Sequence, residues 1–349
     1  MDHSPSSSRD RVAAEILPTP RFDVISEDPS DHQFTNSSSS TAKKIPLSAP
    51  KVSRELQKHI AHEWKLLAEN LPETIFARAY ETRIDLLRAA IIGAAGTPYH
   101  DGLFFFDVVF PPGYPACPPK VHYRSYGYQI NPNLYHTGKV CLSLLNTWFG
   151  RNSSERWDPK TSTMLQILLS LQALVLNEWP YFNEPAFIGS RRDPFHKKAY
   201  AYNGEVFLLS CQTMTHVMSR PPKGFESFVK DHFRDRGHVI LAACEAYFSG
   251  RVPVGRFGLS EAGTTTSFPG MRRGPSEKLR SGLVHVYPFL VKWLGYCGAE
   301  VGPRRVLKAR VENEDNMDQA KDKVRKDGKI KVVLGRVLGK FKRIIGLKK

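Results

Sequence analysis

The segment TSTMLQILLSLQALVLNEW, residues 161 to 179, most constrains the fold, because the helix that it predicts is apolar on almost every side. Such a helix must be covered by other elements on all sides. Ser162 or Thr161 can cap its first turn, and Pro180 ends it. We therefore expect a central buried helix around which the rest of the domain packs.

Four short apolar runs precede this segment, and glycines and prolines separate them, which is the pattern of antiparallel hairpins. The runs are TIFARAYE, LLRAAIIGAAG, GLFFFDVVF and KVHYRS. The proline-rich PPGYPACPP between the last two predicts a rigid loop, because proline cannot donate to a strand ladder. The runs predict a four-stranded antiparallel meander, and hence an α+β fold.

Further helices are predicted on both sides of these elements. Residues 52 to 71 have apolar residues at helical spacing and a basic outer side, so they predict an amphipathic helix that ends at Pro72. Residues 195–219 and 225–249 predict two more helices after the central one, separated by RPPKG.

Composition divides the chain into four parts. Residues 1–48 are rich in serine, proline and charge, which predicts a disordered arm. Residues 49–250 form the predicted folded core. Residues 251–327 are read as a linker and poorly defined region, in which the apolar stretch 283–297 is short and isolated.

The fourth part, residues 328–349, is a basic tail. It holds eight of the lysines and arginines behind the formal net charge of +16, and it holds no acid. Its apolar residues recur at helical spacing, so we predict a basic amphipathic helix for a membrane surface or a partner. The apolar stripe disfavours a nucleic-acid patch, and a helix folded back on the core is the remaining alternative. The candidate contact residues are Lys340, Phe341, Lys342 and Arg343.

The cysteines predict neither disulfides nor a metal site. There are five, widely spaced and without a CxxC pair. The N-terminus is polar and has no secretory h-region, and no apolar run reaches eighteen residues. We therefore expect a reducing cytoplasmic or nuclear location, with membrane association through the tail as a further hypothesis.

One cysteine stands in a pattern that suggests chemistry. In NPNLYHTGKVCLSLL, Cys141 follows Asn133 by eight residues. A thiolate attacks carbonyl groups and forms a thioester, and an amide fixed in a turn can donate to an oxyanion. His122 and His136 do not stand at the spacing of a cysteine–histidine dyad. The competing interpretations are a buried structural thiol and an asparagine that only stabilises a turn.

The motifs around this cysteine resemble the ubiquitin-conjugating enzyme (E2) family. They are GTPYHDGLFFFDVVFPPGYPACPPKVHY, NPNLYHTGKVCLSLLNTW, WDPKTSTMLQILLSLQALVLNEWPYFNEPAF and EVFLLSCQTM, in this order. The chain is most similar to the large E2 class that includes modules of the giant apoptosis-inhibitor ligase and of the plant phosphate-homeostasis enzyme. The resemblance covers about residues 52 to 250. It implies the E2 (UBC) fold, with an N-terminal helix, a four-stranded meander, an active-site loop, a central buried helix and C-terminal helices.

The resemblance also implies roles for individual residues. Cys141 matches the acceptor that carries ubiquitin as a thioester, and Asn133 matches the asparagine that stabilises the oxyanion and holds the active-site loop. Glu184, in FNEP, aligns with an acid that orients the attacking lysine; its alternative is an ordinary loop acid. The implied partners are ubiquitin, its activating enzyme, target lysines and an E3 ligase. No cofactor is implied, because the activating enzyme consumes the ATP.

The sequence departs from the family pattern at several points. Asn131 replaces the usual histidine, whose loop-bracing hydrogen bonds an asparagine can also make. The segment TWFGRNSSER lengthens the interval between Cys141 and Trp157. Ala116 stands where many E2s carry a ligase-docking aromatic, and with Pro159 it places ordinary ligase contacts in doubt. A dual E2/E3 activity is therefore a further hypothesis.

The predicted contact with the activating enzyme is the basic face of the first helix, at Arg54 and Lys58. Three functions remain to be compared. The first is an E2 enzyme that transfers ubiquitin through Cys141, and the second is an inactive E2-like scaffold that binds ubiquitin or a ligase. The third, an unrelated cysteine hydrolase, lacks a base.

Overall fold

The computed structural model describes residues 19–35, 52–148, 155–184, 197–258 and 274–302. The α+β fold class is confirmed. The tail residues Lys340, Phe341, Lys342 and Arg343 lie outside the described residues, as does most of the lengthened segment after Cys141.

The first helix, α1, spans Arg54–Asn70 and confirms the predicted amphipathic helix. The Ser53 side chain caps it by accepting a hydrogen bond from the backbone N–H of Leu56. The buried face carries Leu56, Ile60 and Leu67, spaced one and two turns apart. The basic residues therefore remain on the solvent side.

The sheet has five strands in the order β1-β2-β3-β4-β5, so the four-stranded prediction is wrong by one strand. Strands β2 to β5 are the predicted antiparallel meander, and β1 pairs with β2 in parallel. The strands are Phe22–Ile25 (β1), Ile75–Tyr80 (β2), Leu86–Ile92 (β3), Leu103–Val109 (β4) and Lys120–Tyr123 (β5).

The extra strand comes from the arm that was predicted to be disordered, and that prediction is wrong for residues 19–35. In β1, Phe22 pairs with Ala77, and the Arg21 side chain donates a 2.7 Å hydrogen bond to the carbonyl of Leu71. A four-residue strand in a polar segment has no local signal of its own. Its order depends on the sheet edge that it completes.

The three central strands, β2 to β4, are buried on both faces, which explains why they read as largely continuous apolar runs. Alternate residues belong to two separate cores. Phe104 and Phe106 pack with α1 and the central helix, whereas Leu103 and Phe105 pack with the C-terminal helices.

A buried ion-pair cluster, formed by Arg88, Asp107, Asp31 and His32, ties the arm to the second face. Arg88 and Asp107 are both 0% exposed, and the Arg88 Nε donates to Asp107 Oδ1 at 2.6 Å. From the arm, Asp31 accepts a 2.8 Å bond from Arg88 Nη1. The His32 Nε2 lies 3.1 Å from the carbonyl oxygen of Leu87. These contacts fix residues 29–35 over strands β3 and β4.

The central helix is shorter and less buried than predicted. Helix α2 spans Met164–Ser170, and Thr163 caps it with Gln166 in a capping box, instead of Thr161 or Ser162. A π turn over Leu171–Val175 then closes the segment, with Leu176 N bonded to Leu171 O at 2.9 Å. Leu169 and Leu174 are 38% and 63% exposed. Apolar residues of this segment therefore face solvent as well as the core.

Helices α3 (Lys197–Ser219) and α4 (Glu226–Ser249) confirm the two helices predicted after the central one. The prediction that residues 251–327 form a linker is wrong for α5, which spans Glu277–Cys297 and packs against both. Ser276 caps α5, and a buried stripe that includes Leu283, Leu290 and Leu294 faces the second core. The helix begins six residues before the apolar stretch, and Pro288 inside it is exposed, so the proline leaves the buried stripe intact.

Among the described helices, none is long and apolar enough to cross a membrane.

Candidate active site

The candidate site lies on the loop that begins with Asn131, which is completely buried. Its Nδ2 donates to the carbonyl oxygen of Val175 at 2.7 Å and to the hydroxyl of Tyr99 at 2.9 Å. Its Oδ1 accepts a 2.8 Å bond from the backbone N–H of Asn133. The asparagine therefore braces the loop by hydrogen bonds, as was expected of a residue that replaces histidine here.

Asn133 and Cys141 are joined by two reciprocal hydrogen bonds. The backbone N–H of Cys141 donates to the carbonyl of Asn133 at 2.9 Å, and the Asn133 Nδ2 donates back to the carbonyl of Cys141, also at 2.9 Å. The second bond occupies one N–H of the amide that was predicted to serve an oxyanion. The geometry gives Asn133 a direct part in holding the cysteine backbone.

Two further residues fix the loop around the cysteine. The Thr147 hydroxyl donates to the carbonyl of Val140 at 2.7 Å and accepts from the N–H of Leu142 at 3.0 Å, so it clasps the backbone on both sides of Cys141. Gly138 has φ +86, and a Cβ atom there would lie 2.0 Å from the ring of His122. Only glycine meets both the backbone and the packing requirement.

The π turn connects this loop to the segment that carries Glu184. The Val175 carbonyl, left free where the helix ends, accepts from Asn131 Nδ2 and, at 3.1 Å, from Asn183 Nδ2. Asn183 also lies 3.3 Å from Asn131 Oδ1 and accepts a 2.7 Å bond from Asn177. Three asparagine side chains therefore tie the loop, the helix end and the residue before Glu184 into one network.

Tyr135 lies within electrostatic range of Cys141, which as a residue is only 3% exposed. The charge of Cys141 is the main cause of a raised pKa at Tyr135, and the carboxylate of Glu184 makes a smaller contribution in the same direction. Tyr135 is therefore the phenol on the side of the loop that faces both Cys141 and Glu184. The sequence analysis did not identify Tyr135. This residue stands two positions after Asn133 in an irregular loop, where no periodic pattern indicates the direction of a side chain.

Neither nearby histidine hydrogen-bonds to Cys141 within the described part of the chain. The His122 ring packs against Gly138 and Phe34, and His136 contributes only its carbonyl oxygen, which accepts from Ser125. Burial is the main cause of a lowered pKa at His122. Across the same described ranges, no group of three or more histidine, cysteine or acidic residues is arranged to hold a metal ion.

Comparisons with known proteins agree with this geometry. A family model described as "Ubiquitin-conjugating enzyme" matches residues 56–210. The putative ubiquitin-conjugating enzyme E2 38 of Arabidopsis thaliana is 44% identical over 324 residues, which span 92% of this chain and 94% of that relative. The chain belongs to the ubiquitin-conjugating enzyme family.

Other E2 relatives are much longer than the matched region. The probable ubiquitin-conjugating enzyme E2 25 of Arabidopsis thaliana is 54% identical over 236 residues, covering 67% of this chain but 37% of that protein. The human dual E2 ubiquitin-conjugating enzyme/E3 ubiquitin-protein ligase BIRC6 is 39% identical over 201 residues, covering 55% of this chain and 4% of that protein. The chain therefore spans well under two thirds of these two relatives, and its resemblance to the large E2 class is confirmed.

The two positions predicted for ligase contact lie on neighbouring exposed loops. Ala116 follows the cis peptide bond Tyr114–Pro115, and Pro159 follows Trp157. The indole Nε1 of Trp157 donates to the carbonyl of Pro115 at 2.7 Å and joins the loops. The two loops therefore lie side by side with Ala116 and Pro159 exposed, and their part in ligase contact stays a prediction.

The base of this surface is anchored on α1 by Glu63, a buried acid that the sequence did not single out. Its carboxylate accepts a 2.5 Å bond from the Tyr114 hydroxyl and a 2.9 Å bond from the N–H of Met164. Burial is the main cause of its raised pKa. Arg54 and Lys58 lie exposed on the same helix, and no described contact links them to Cys141.

Proposed function

We propose that the chain accepts ubiquitin from an ATP-dependent activating enzyme as a thioester on Cys141 and transfers it to a lysine of a target protein. Under this proposal the chain needs no cofactor of its own, and ubiquitin, the activating enzyme and a ligase are its partners. The carrying observation is Cys141 held by Asn133 within electrostatic range of Tyr135, with no histidine bonded to its sulfur among the described residues.

A cysteine without a histidine base beside it in the described structure suits transfer of ubiquitin to an amine better than it suits hydrolysis. A thioester is already activated, so transfer needs a positioned and deprotonated amine more than a strong acid or base. A free lysine has a pKa near ~10.4, and a nearby carboxylate such as Glu184 can hold and orient the amine as it loses its proton. A cysteine hydrolase would need a histidine beside the sulfur. The arrangement therefore favours acyl transfer.

The inactive-scaffold alternative rested on the loss of the family histidine at position 131 and on Ala116 in place of the ligase-docking aromatic. Asn131 makes four polar contacts and is fully buried, so this replacement leaves the loop braced. The exposed Leu169 and Leu174 also offer an apolar surface beside the same helix end, which would suit ubiquitin binding by an enzyme and by a scaffold alike. The bracing by Asn131 is therefore the observation that favours an active enzyme.

The test is a charging and discharge assay on the full chain. The protein is incubated with activating enzyme, ATP and ubiquitin, and the adduct is resolved with and without reductant before free lysine is added. We expect a reductant-sensitive adduct that disappears on addition of lysine. An adduct that never forms on folded protein would reject the enzyme and favour the scaffold, and one that forms but resists lysine would contradict the proposed transfer to lysine.

The Asn133→Ala substitution should separate charging from transfer. It removes the bond to the Cys141 carbonyl and any donor for the oxyanion, and the loss of one such donor slows catalysis by ~10²–10³. We expect the adduct to form and its discharge to lysine to slow by about that factor in a single-turnover assay. Asn177→Ala, which alters the network but not the cysteine, is the control. Unchanged discharge by Asn133→Ala would remove its assigned role.

The Tyr135→Phe substitution should slow transfer without destabilising the fold. The raised pKa keeps the phenol protonated at assay pH, so it can donate a hydrogen bond beside the sulfur. Hydrogen bonds to charged groups contribute ~1.5–3 kcal/mol, so we expect about tenfold slower discharge to lysine. Tyr128→Phe provides a matched control, because its hydroxyl instead contacts His216. Equal rates for the two variants would contradict a role for Tyr135.

A further inference from the structure

A second polar cleft lies where the loop after β5 meets the end of α3. It has a volume of ≈ 370 Å³, and its lining residues are Arg124, Tyr126, His216 and Arg220. It shares none of these residues with the Cys141 site. Its lining includes two guanidinium groups and no carboxylate, so we considered which ligand it would take.

The charge around the cleft is positive. Arg124 pairs with Asp31 at 3.4 Å and with Asp107 at 3.5 Å, but both acids also serve Arg88. Arg220 is exposed, and within the described residues no carboxylate lies within ion-pair distance of it. Asp31 and Asp107 therefore balance the charges of Arg88 and Arg124. The positive charge of Arg220 is not balanced by either acid.

Tyr126 lies at the wall of the cleft in an unusual conformation. Its φ of +50 is in the left-handed region, which is uncommon for a bulky side chain and here forms a tight turn with Gly127. Its hydroxyl is buried from solvent and lies beside Arg124. Tyr126 therefore shapes the wall of the cleft and holds Arg124 in place, and it offers no polar atom at the cleft surface.

His216 is held in place against the same wall. Its ring stacks on Tyr126 with centroids 5.5 Å apart and an interplanar angle of 10°, and its Nε2 lies 3.1 Å from the Tyr128 hydroxyl. Burial first, and then the charge of Arg220, lower the pKa of His216. The imidazole is therefore neutral at neutral pH and leaves the two arginines as the source of positive charge.

We propose that this cleft binds a phosphate-type oxyanion. The guanidinium groups match the planar, bidentate recognition of phosphate oxygens. Arg124 also contacts Asp31 and Asp107, so the exposed Arg220 is the main cation for the ligand. The volume exceeds that of several water molecules at ~30 Å³ each, so there is room for the group that carries the phosphate. The source is either a small phosphorylated metabolite or a phosphorylated side chain. This inference does not depend on the thioester chemistry.

Calorimetric titration of the full chain in low-chloride buffer tests the proposal. The probes are inorganic phosphate, glycerol phosphate and a phosphoserine peptide, with the unphosphorylated peptide as the blank. We expect saturable binding at one site for the phosphorylated probes and none for the blank. Tighter binding of the peptide would indicate a side-chain source, and equal or tighter binding of glycerol phosphate would indicate a metabolite. Absence of saturable binding to every phosphorylated probe would overturn the proposal.

One variant and two controls place the binding in the cleft. Arg220→Gln removes an exposed cation and should weaken phosphate binding by about tenfold. Tyr126→Phe removes only a hydroxyl that is buried from solvent, so it should leave phosphate binding unchanged. Arg251→Gln is the matched control, because the side chain of this exposed arginine lies outside the cleft and donates to Ser249 at 3.1 Å. Equal weakening by Arg220→Gln and Arg251→Gln would show non-specific attraction and overturn the proposal.

Discussion

Replacing Cys141 with alanine should abolish the ubiquitin adduct completely. The adduct is proposed to be a thioester, and alanine offers no atom that can form one. Cys141 is held by two reciprocal hydrogen bonds that use only its backbone, so alanine should leave the loop in place. The measurement is the reductant-sensitive band in the charging assay, combined with a thermal melt to show that the variant is folded.

The chain provides its own controls for this experiment. Cys117 is exposed, whereas Cys141 is buried, so reactivity governed by access alone would place the adduct on Cys117. We expect Cys117→Ala to charge normally. Cys141→Ser should give an adduct that survives reductant, because an oxygen ester does not exchange with thiols. An adduct that persists in Cys141→Ala and disappears in Cys117→Ala would contradict the assignment.

Removing Asp107 should cause the largest loss of stability. Asp107 and Arg88 are both 0% exposed, and breaking a buried pair leaves an uncompensated charge that costs ~3–5 kcal/mol. Asp107 also accepts a 2.9 Å bond from the backbone of Gln33, so Asp107→Ala should loosen the arm as well. We expect the free energy of unfolding in urea to fall by about that amount.

An exposed ion pair provides the matched comparison. Asp231 lies 2.6 Å from Arg234 on α4, but both side chains are at least 40% exposed, and such pairs contribute ~0–1 kcal/mol. Asp231→Ala should therefore change stability little. If Asp107→Ala and Asp231→Ala lower the free energy of unfolding equally, the buried cluster does not hold the arm.

The same cluster gives stability a defined pH dependence. Burial favours a raised pKa at Asp107, but Arg88, His32 and Arg124 outweigh it, and the pKa is lowered. The carboxylate therefore stabilises the fold above its unfolded pKa of ~3.9, and this contribution is lost as the pH falls through the folded value. The pKa of His32 is lowered chiefly by burial, so its protonation below pH ~6.5 also opposes folding. Protonation of Asp107 and of His32 at low pH therefore weakens the attachment of the arm to the sheet.

Much of the fold could be predicted because its signals are local. Strands β2 to β4 are largely apolar runs, glycines and prolines separate them from the shorter β5, and α1 shows one apolar face. The spacing of Asn133 and Cys141 likewise identified a loop whose two residues do bond to each other. In these cases a few consecutive residues contain the physical reason for the structure.

The remaining features depend on contacts between distant residues. β1 is ordered by a sheet edge more than fifty residues away, and α5 is recognisable as a helix only when Pro288 is seen to face solvent. Tyr135 was missed because its relation to the sulfur and to Glu184 exists only in three dimensions. Pattern alone does not reveal which side chain of a loop points toward its cysteine.

Because of the π turn at Leu171–Val175, the geometry of the site depends on the number of residues in this segment as well as on their identity. Removing one residue would close an ordinary α-helical turn and rotate everything after it by about 100°. The Val175 carbonyl would then turn away from Asn131 and Asn183, and the acid that follows would lose its support. Relatives that keep this site should therefore accept substitutions here but show no insertions or deletions between Leu171 and Glu184.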